Sequence, residues 1–497
     1  MTALLQLKNV SKSFGARRLF QDVSFTINDD EHVGVIGHNG AGKTTLFDII
    51  IGKQESDDGT ITKSTNLHIA YLSQHDDFTP EETAEDYIIR VANVMSWEVQ
   101  SQCADFDIDE YRLQKKISAL SGGYKMRCKL LGLSLQKADL LLLDEPSNYL
   151  DLDTILVLER FLQGFSGAFM VISHDQEFLR RTTTHILEIE DGEATKFNGN
   201  LDDYFEQKQM LREQLEAHAA SLKERRDEIL RFVARFGAKA TKAKQAQSRL
   251  KQLDKMETVE VKPIPVSAKI KIPPPTHCGK VALIIKDADL GYGNNRILRN
   301  VSFTIQRGDH IVVTGANGRG KTTLLKSLAG AIPLLKGTLE LGHEVSLAYY
   351  AQHVSEQLKP ELTVLEELVR AKDTSITEQE AKNLAGTLLF TKDDMNKKIK
   401  ILSGGEKSRV ALGCVLLKKV NCLLLDEPTN HLDFQTTAAL SQALHEYGGA
   451  IIVVSHDRAF VRTLSKKTVE VQADGTVAVY PGTYDEYIWS LQRRLRQ

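Results

Sequence analysis

The chain has 497 residues, which is too long for one hydrophobic core and predicts about two to four domains. Its 63 basic and 66 acidic side chains nearly cancel, so a nucleic acid or membrane partner must meet a local patch rather than the field of the whole protein. The five cysteines have no paired spacing, which argues against a disulfide framework and against a zinc or iron–sulfur site, and predicts a reducing, cytoplasmic location.

The sequence predicts no transmembrane segment. The most apolar runs, at 140–143 and 451–454, are far shorter than the ~18 residues that cross a bilayer. The N-terminal residues also lack a basic start followed by an apolar stretch. Any work at a membrane would therefore require another subunit.

Two long segments of the chain are copies of each other. Lys43 aligns with Lys321 at an offset of 278 residues, and Ser121 aligns with Ser403 at an offset of 282. Each copy begins with alternating apolar strands and continues with strand and helix signals typical of a mostly parallel α/β core. The repeat predicts two tandem α/β domains.

A segment of different composition separates the copies. We predict a first α/β domain at 1–204, a linker at 205–279 and a second α/β domain at 280–497. The first part of the linker has dense charges, no proline and one glycine, Gly237, which predicts two helices of about 20 to 25 residues that turn near 236–240. A cluster of prolines then indicates an extended return segment.

Both copies carry a glycine-rich loop between a β-branched strand and an apolar helix. The loops read Gly37-His-Asn-Gly-Ala-Gly-Lys43-Thr and Gly315-Ala-Asn-Gly-Arg-Gly-Lys321-Thr. In such phosphate-binding loops, backbone N–H groups surround the β-phosphate, the lysine neutralises β and γ oxygens, and the threonine hydroxyl ligates Mg²⁺. The predicted ATP-binding residues are Gly37, Asn39, Gly40, Gly42, Lys43, Thr44, Thr45, Gly315, Asn317, Gly318, Gly320, Lys321, Thr322 and Thr323.

Each glycine-rich loop is followed, later in its copy, by an apolar strand that ends in two carboxylates. These are Asp144 and Glu145 in the first copy and Asp426 and Glu427 in the second. We expect Asp144 and Asp426 to hold Mg²⁺ through water. Glu145 and Glu427 are placed to orient and polarise the attacking water, because phosphoryl transfer depends on positioning and charge stabilisation.

A Leu-Ser-Gly-Gly motif narrows the class of ATPase. Its serine, Ser121 or Ser403, lies 23 residues before the first carboxylate of each pair. With this motif and spacing the chain resembles the ABC superfamily, and the resemblance implies that each motif faces the γ-phosphate bound by the other copy. N–H groups at a helix start suit that anion. The motif residues are Ser121, Gly122, Gly123, Ser403, Gly404 and Gly405.

The resemblance also implies roles for two further residue pairs. Gln74 and Gln352 lie where the family has its glutamine loop, next to Mg²⁺ and nucleotide. His174 and His456 lie where the family has a histidine that contacts the γ-phosphate, 29 residues after Glu145 and Glu427. The predicted Mg²⁺ ligands are Thr44, Gln74, Asp144, Thr322, Gln352 and Asp426.

Both sites carry a complete set of residues, so we expect two hydrolytic sites. Phe14 and Tyr292 match the family's aromatic residue that stacks on adenine. The first copy differs from the family's usual residues at two places. Tyr124 replaces the polar residue usual after the signature glycines, and Ser-Asn-Tyr-Leu-Asp at 147–151 replaces the Thr-Asn-His-Leu-Asp form of 429–433. We expect these differences to leave the chemistry intact and to desynchronise the two sites.

The linker distinguishes among ABC proteins. Tandem ATPase subunits of importers have similar lengths, but they join their halves by short connectors and often lose catalytic residues in one half. DNA-repair and chromosome-type relatives insert long coiled coils or zinc modules within a cassette, which this sequence lacks. A charged helical pair with Asn-His-Leu-Asp after the second carboxylate pair resembles the ABC-F family, whose members act on ribosomes. The importer subunit remains the alternative.

The second part of the linker is locally basic. Helical Arg and Lys residues suit the phosphates of rRNA or tRNA, and Phe232 and Phe236 near the turn are placed to stack or wedge. In ABC-F proteins this element enters the ribosomal E site and approaches P-site tRNA and the peptidyl-transferase centre. The predicted RNA-binding residues are Arg231, Arg235, Lys239, Lys242, Lys244, Arg249 and Lys251.

The first copy has no room for the extra arm that some ABC-F factors carry, since 47 residues separate Gln74 from Ser121 and 51 separate Gln352 from Ser403. A compact member of this kind resembles both housekeeping translation factors and antibiotic-resistance proteins that protect ribosomes. The sequence predicts a monomeric clamp that ATP closes and hydrolysis opens.

Overall fold

The computed structural model describes most of the chain. The described residues are 2–15, 17–38, 40–73, 77–79, 81–148, 150–236, 270–351, 358–430, 432 and 434–495.

The first copy of the repeat, here called the first cassette, alternates strands and helices. Its elements are β1 (Ala3–Phe14), β2 (Arg17–Asn28), β3 (His32–Gly37), α1 (Lys43–Ile51), β4 (Asp58–Lys63), β5 (Ile69–Leu72), α2 (Ala84–Ala92), α3 (Ser96–Gln102), α4 (Glu110–Leu113), α5 (Gly122–Leu135), β6 (Leu140–Asp144), α6 (Leu152–Gly164), β7 (Ala168–Ile172), α7 (Gln176–Thr182), β8 (His185–Glu190) and β9 (Glu193–Asn198). A long helix, α8 (Leu201–Phe236), follows it.

The second cassette repeats the same order. Its elements are β10 (Val281–Tyr292), β11 (Asn295–Gln306), β12 (His310–Thr314), α9 (Lys321–Leu328), β13 (Lys336–Leu341), β14 (Leu347–Tyr350), α10 (Val364–Ala371), α11 (Glu378–Thr387), α12 (Gly404–Leu416), β15 (Cys422–Asp426), α13 (Phe434–His445), β16 (Ala450–Val454), α14 (Arg458–Leu464), β17 (Lys467–Val471), β18 (Val477–Tyr480) and α15 (Tyr484–Leu495). Short 3₁₀ turns occupy Cys103–Phe106, Ile117–Ala119, Asp394–Asn396 and Ile399–Ile401.

Each cassette contains one mostly parallel sheet and one small antiparallel sheet. The large sheets have six strands, in the orders β5-β6-β7-β3-β8-β9 and β14-β15-β16-β12-β17-β18, and only the last pair in each is antiparallel. The small sheets have three strands, in the orders β2-β1-β4 and β11-β10-β13. The predicted α/β fold with two tandem nucleotide-binding domains is confirmed.

The apolar run of β6 shows why the large sheet is buried on both faces. Leu140 and Leu142 belong to the core shared with the small sheet, whereas Leu141 and Leu143 belong to the core shared with the helices. Successive side chains of a strand point to opposite faces, so a continuous leucine run fills both cores and fixes the strand in the centre of the cassette. This places the carboxylates that follow β6 at its carboxyl end.

The linker helix begins earlier and is longer than the sequence predicts. It has 36 residues and starts at Leu201 instead of near Phe205. Leu201 and Tyr204 are buried in the core of the first cassette, and the Asn200 side chain accepts hydrogen bonds from the first backbone N–H groups of the helix. The helix therefore starts inside the cassette and extends about 54 Å at 1.5 Å per residue. The predicted turn at 236–240 lies outside the described residues beyond Phe236.

None of the helices in the described part of the chain is long and apolar enough to cross a membrane.

Candidate functional site

The two glycine-rich loops turn tightly before α1 and α9. Gly42 and Gly320 precede these helices with φ angles of 97° and 103°, a left-handed conformation that favours glycine. A Cβ at Gly320 would lie 2.6 Å from Ile297 Cγ2, and one at Gly42 would lie 3.1 Å from the Phe20 ring. Each loop therefore needs glycine for both its backbone angle and its close packing.

The loop lysines lie across the glycine-rich loops. Lys43 Nζ donates to Gly37 O at 2.7 Å, and Lys321 Nζ donates to Gly315 O at 2.7 Å and to Asn317 Oδ1 at 3.0 Å. Both lysines are buried. An ammonium group held across a glycine-rich loop at a helix N-terminus is suited to the β and γ oxygens of ATP.

The two predicted catalytic glutamates have strained backbones. Glu145 and Glu427 have φ angles of 51° and 52°, in the left-handed region that a non-glycine residue rarely adopts. Their backbone N–H groups donate to Ile172 O at 3.0 Å and Val454 O at 2.8 Å on the neighbouring strand. These hydrogen bonds hold each glutamate just beyond its strand, facing the histidine that follows the neighbouring strand.

Each glutamate meets the predicted histidine of its own cassette. Nε2 of His174 lies 3.3 Å from Oε1 of Glu145, and Nε2 of His456 lies 3.3 Å from Oε1 of Glu427. Burial, and then the neighbouring loop lysine, lowers the pKa of both histidines to about 3, so they are neutral. Burial, reinforced by the adjacent aspartate, raises the pKa of both glutamates to about 7. A carboxyl group with such a pKa suits a general base.

In the second cassette these groups line one cavity of about 380 Å³. Lys321, Thr322, Asp426, Glu427 and His456 are all in its wall. A hydroxyl beside a buried carboxylate is a hard oxygen donor set that fits Mg²⁺, and the repeat supplies the same pair in the first cassette as Thr44 and Asp144. When bound, Mg²⁺ would neutralise charge on the β and γ phosphates.

The other predicted residues are the two aromatic residues, the signature motifs and three residues that the structure does not describe. Phe14 and Tyr292 end the first strand of each cassette and are half exposed, at 51% and 45%, where a base can stack. Ser121 and Ser403 cap α5 and α12 and are exposed. The structure does not bring the signature motifs to the opposite glycine-rich loops by any hydrogen bond within its described residues. Outside those residues lie Asn39, Gln74 and Gln352, whose predicted roles stay predictions.

The cassettes contact each other beside these sites. Asp151, just before α6 of the first cassette, accepts a hydrogen bond from the backbone N–H of Asn317 in the second glycine-rich loop, at 3.1 Å. A second cavity of about 280 Å³ between the cassettes is lined by Glu145, Glu427 and the two predicted histidines. The two predicted hydrolytic centres therefore line one interface, in keeping with the expectation of two copies that close on each other.

A one-sided ion cluster also joins the cassettes. Arg458, on α14 of the second cassette, bonds to Glu159 on α6 of the first and lies 3.5 Å from Asp175 Oδ2. Arg462 lies 3.0 Å from Glu177. The aligned repeat does not supply the Arg458–Glu159 pair on the other side, because Gln176 corresponds to Arg458 and Ser441 corresponds to Glu159. Sequence reasoning missed this cluster, and the mismatch between the copies was its only signal.

The carboxyl group of Asp457 gives this interface a pH dependence. Burial, and then the charge of Asp175 across the interface, raises the pKa of Asp457 from 3.8 to about 7, with Arg458 opposing. Between these values the folded state holds a proton that the unfolded chain has lost. This group's contribution to stability is therefore present at low pH, falls as pH rises towards 7, and is constant above.

Asp457→Asn tests this contribution. The Asp457 side chain caps α14 by accepting from Phe460 N at 3.0 Å, and asparagine can do the same without titrating. We expect the free energy of unfolding of the variant, relative to the original chain, to increase from pH 4.5 to 7.5, by at most about 1.4 kcal/mol per pH unit. Urea unfolding at several pH values measures this difference. Parallel pH profiles would contradict it.

Comparisons with known proteins agree with this geometry. The family profile described as "ABC transporter" matches residues 20–148 and 298–430, and an extension profile with the same description matches 187–272. The chain is 33% identical to the "Probable ATP-binding protein YbiT" of Escherichia coli O157:H7, over 98% of this chain and 99% of that protein. It is also 33% identical to the "ABC transporter F family member 5" of Arabidopsis thaliana, over 97% of this chain and 77% of that protein.

A solved structure shares the fold of the whole chain. The archaeal ribosome recycling factor aABCE1, in complex with the ribosomal stalk protein aP1, superimposes with a TM-score of 0.68 at 20% identity, covering 97% of this chain and 92% of that chain. The predicted ATPase activity is confirmed by the matched profiles and the ATP-binding relatives. The chain is an ATP hydrolase that belongs to the ABC-F family of the ABC superfamily.

Proposed function

We propose that this protein binds the ribosome in its ATP-bound, closed form and uses the linker to remodel P-site tRNA or the peptidyl-transferase centre. The closed form enters the E site, and hydrolysis of ATP with Mg²⁺ opens the clamp and releases it. The single observation that carries the proposal is the position of α8, which begins in the core of the first cassette and leads into the basic linker. A movement of the cassettes is thereby transmitted to the linker.

The surface of α8 supports a role outside the cassettes. Beyond its buried start, Met210, Leu211, Leu215 and Leu230 are 43–60% exposed. Apolar side chains along a projecting helix favour packing against a second helix or a partner. Of the predicted RNA-binding residues, Arg231 lies on the exposed surface of α8 and Arg235 lies in the same helix. The others, Lys239, Lys242, Lys244, Arg249 and Lys251, are outside the described residues.

The archaeal ribosome recycling factor that shares this fold adds independent support. It is named as a ribosome recycling factor, and its two cassettes superimpose on those of this chain. The proposal covers both a translation factor and an antibiotic-resistance protein that protects ribosomes, and both work in the cytoplasm on rRNA and tRNA. An importer subunit, by contrast, would bind an integral membrane partner.

Ribosome cosedimentation tests the proposal. The variant changes the seven predicted RNA-binding residues to glutamine. In a non-hydrolysable ATP analogue at moderate salt, we expect the original chain to pellet with ribosomes and the variant to bind roughly tenfold or more weakly, because each lost phosphate contact reduces counterion release. The variant's affinity should also depend less steeply on salt.

A charge-matched control separates a local effect from a global one. It changes seven exposed cassette lysines to glutamine and should pellet like the original chain. These control positions are Lys8, Lys63, Lys137, Lys286, Lys336, Lys359 and Lys418. Equal loss in both variants would overturn a specific linker role. If the original chain itself does not pellet in any nucleotide state, the proposal is wrong, and membrane extracts become the place to search for a partner.

A further inference from the structure

The signature serine of the second cassette is engaged by a carboxylate of its own helix. Glu406 Oε2 accepts from the Ser403 hydroxyl at 2.7 Å and from the Ser403 backbone N–H at 2.8 Å. In return, the Glu406 backbone N–H donates to Ser403 Oγ at 3.3 Å. This is a capping box, in which a side-chain carboxylate satisfies the donors at the start of α12.

The first cassette lacks this arrangement. Tyr124 occupies the position that Glu406 has in the second cassette, and Ser121 makes no side-chain capping hydrogen bond. The Tyr124 ring instead lies beneath two guanidinium groups, 4.2 Å from Arg112 and 5.2 Å from Arg127. The Ser121 hydroxyl is therefore not engaged by a carboxylate of its own helix, and the two guanidinium groups near it are themselves paired with Asp109 and Asp107.

This difference bears on ATP because signature donors must meet a γ-phosphate. The reciprocal pairing of the family places Ser403 opposite the ATP held by Lys43, and Ser121 opposite the ATP held by Lys321. The Glu406 carboxylate accepts from the Ser403 hydroxyl, the group that the reciprocal pairing turns towards the γ-phosphate. An anion at a helix N-terminus is favoured by the helix dipole, so carboxylate and phosphate compete for one place.

We propose that Glu406 is a positioning residue that occupies the γ-phosphate place of Ser403, so that the Lys43 site closes only after this carboxylate is displaced. The Lys321 site has no such competitor and closes at lower ATP concentration. The inference rests on ATP hydrolysis at two composite sites and does not depend on the ribosome.

The charge of Glu406 supports the competition. Burial opposes its ionisation, yet the two hydrogen bonds from Ser403 outweigh this and lower the pKa of the carboxyl below its ordinary value. The group is therefore anionic at neutral pH. A γ-phosphate that approaches Ser403 meets a like charge and must also break charge-assisted hydrogen bonds.

Site-resolved ATP hydrolysis tests this inference without ribosomes. With Glu427→Gln, turnover reports the Lys43 site, and with Glu145→Gln it reports the Lys321 site. In the first background, Glu406→Ala should lower the KM for ATP about three- to tenfold, less than a buried charge-assisted hydrogen bond would give, because Ser403 is exposed to water. The kcat should change less than the KM. In the second background, Tyr124→Glu should raise the KM by a similar factor.

Glu406→Gln distinguishes competition by the carboxylate charge from a purely structural role of the capping box. Glutamine keeps the capping box but carries no charge, so its KM at the Lys43 site should fall between those of the original residue and Glu406→Ala. A merely structural cap would give a KM for Glu406→Gln equal to that of the original residue and a lower melting temperature for Glu406→Ala with no KM change. An unchanged KM at the Lys43 site, or equal KM changes at both sites, overturns the inference.

Discussion

Glu145→Gln together with Glu427→Gln lowers ATP turnover by on the order of a hundred- to ten-thousandfold, the range that a positioned general base contributes. Both side chains are largely buried and held 3.3 Å from a neutral histidine, which fixes their position at the strand ends. Glutamine has nearly the same shape and still hydrogen-bonds the histidine, so ATP binding should persist. Phosphate release under saturating ATP measures the loss.

The two single variants provide the comparison. Each should retain turnover from the other cassette, because each glutamate meets the histidine of its own cassette. If the proposed function is correct, the double variant also remains closed and sediments with ribosomes in ATP, whereas the original chain dissociates. Turnover of the double variant within threefold of the original chain would remove Glu145 and Glu427 from the catalytic mechanism.

Arg458→Ala destabilises the contact between the cassettes by about 3 to 5 kcal/mol, the cost of removing one partner from a buried ion pair. Arg458 and Glu159 are only 5% and 4% exposed, and the guanidinium also faces Asp175. Alanine leaves both carboxylates buried without this countercharge. Urea unfolding of the variant should show loss of the interface at a lower urea concentration. Fluorescence labels placed in the two cassettes monitor this loss.

Matched substitutions separate burial from charge. Arg462→Ala removes a side chain that is 34% exposed and should cost less than about 1 kcal/mol. Gln176→Ala changes the repeat position that corresponds to Arg458 and should have a similarly small effect. Combining Arg458→Gln with Glu159→Gln should recover part of the lost stability, since no buried Glu159 charge remains. Equal effects at Arg458 and Gln176 would show that the cluster does not hold the interface.

The fold of each cassette was predictable from the amino-acid sequence, and the sequence also supplied the hypothesis for its chemistry. Two glycine-rich loops, two Asp-Glu pairs and two signature motifs are local patterns, and the roles predicted for them rest on backbone geometry at strand ends and helix starts. The leucine run before Asp144 indicated a strand buried on both faces, and the structure shows both cores. Such features are predictable because they depend on neighbouring residues and on one repeating unit.

The differences between the two copies at their interface became visible only in the folded chain. The bond between Asp151 and Asn317 and the pair between Arg458 and Glu159 join residues distant in sequence, and no periodicity indicates such contacts. The start of α8 at Leu201 was likewise set by burial in the cassette core, which outweighed the change in composition that the sequence shows near Phe205. The copies share a pattern because each must fold alone, but their interface depends on side chains that meet only after folding.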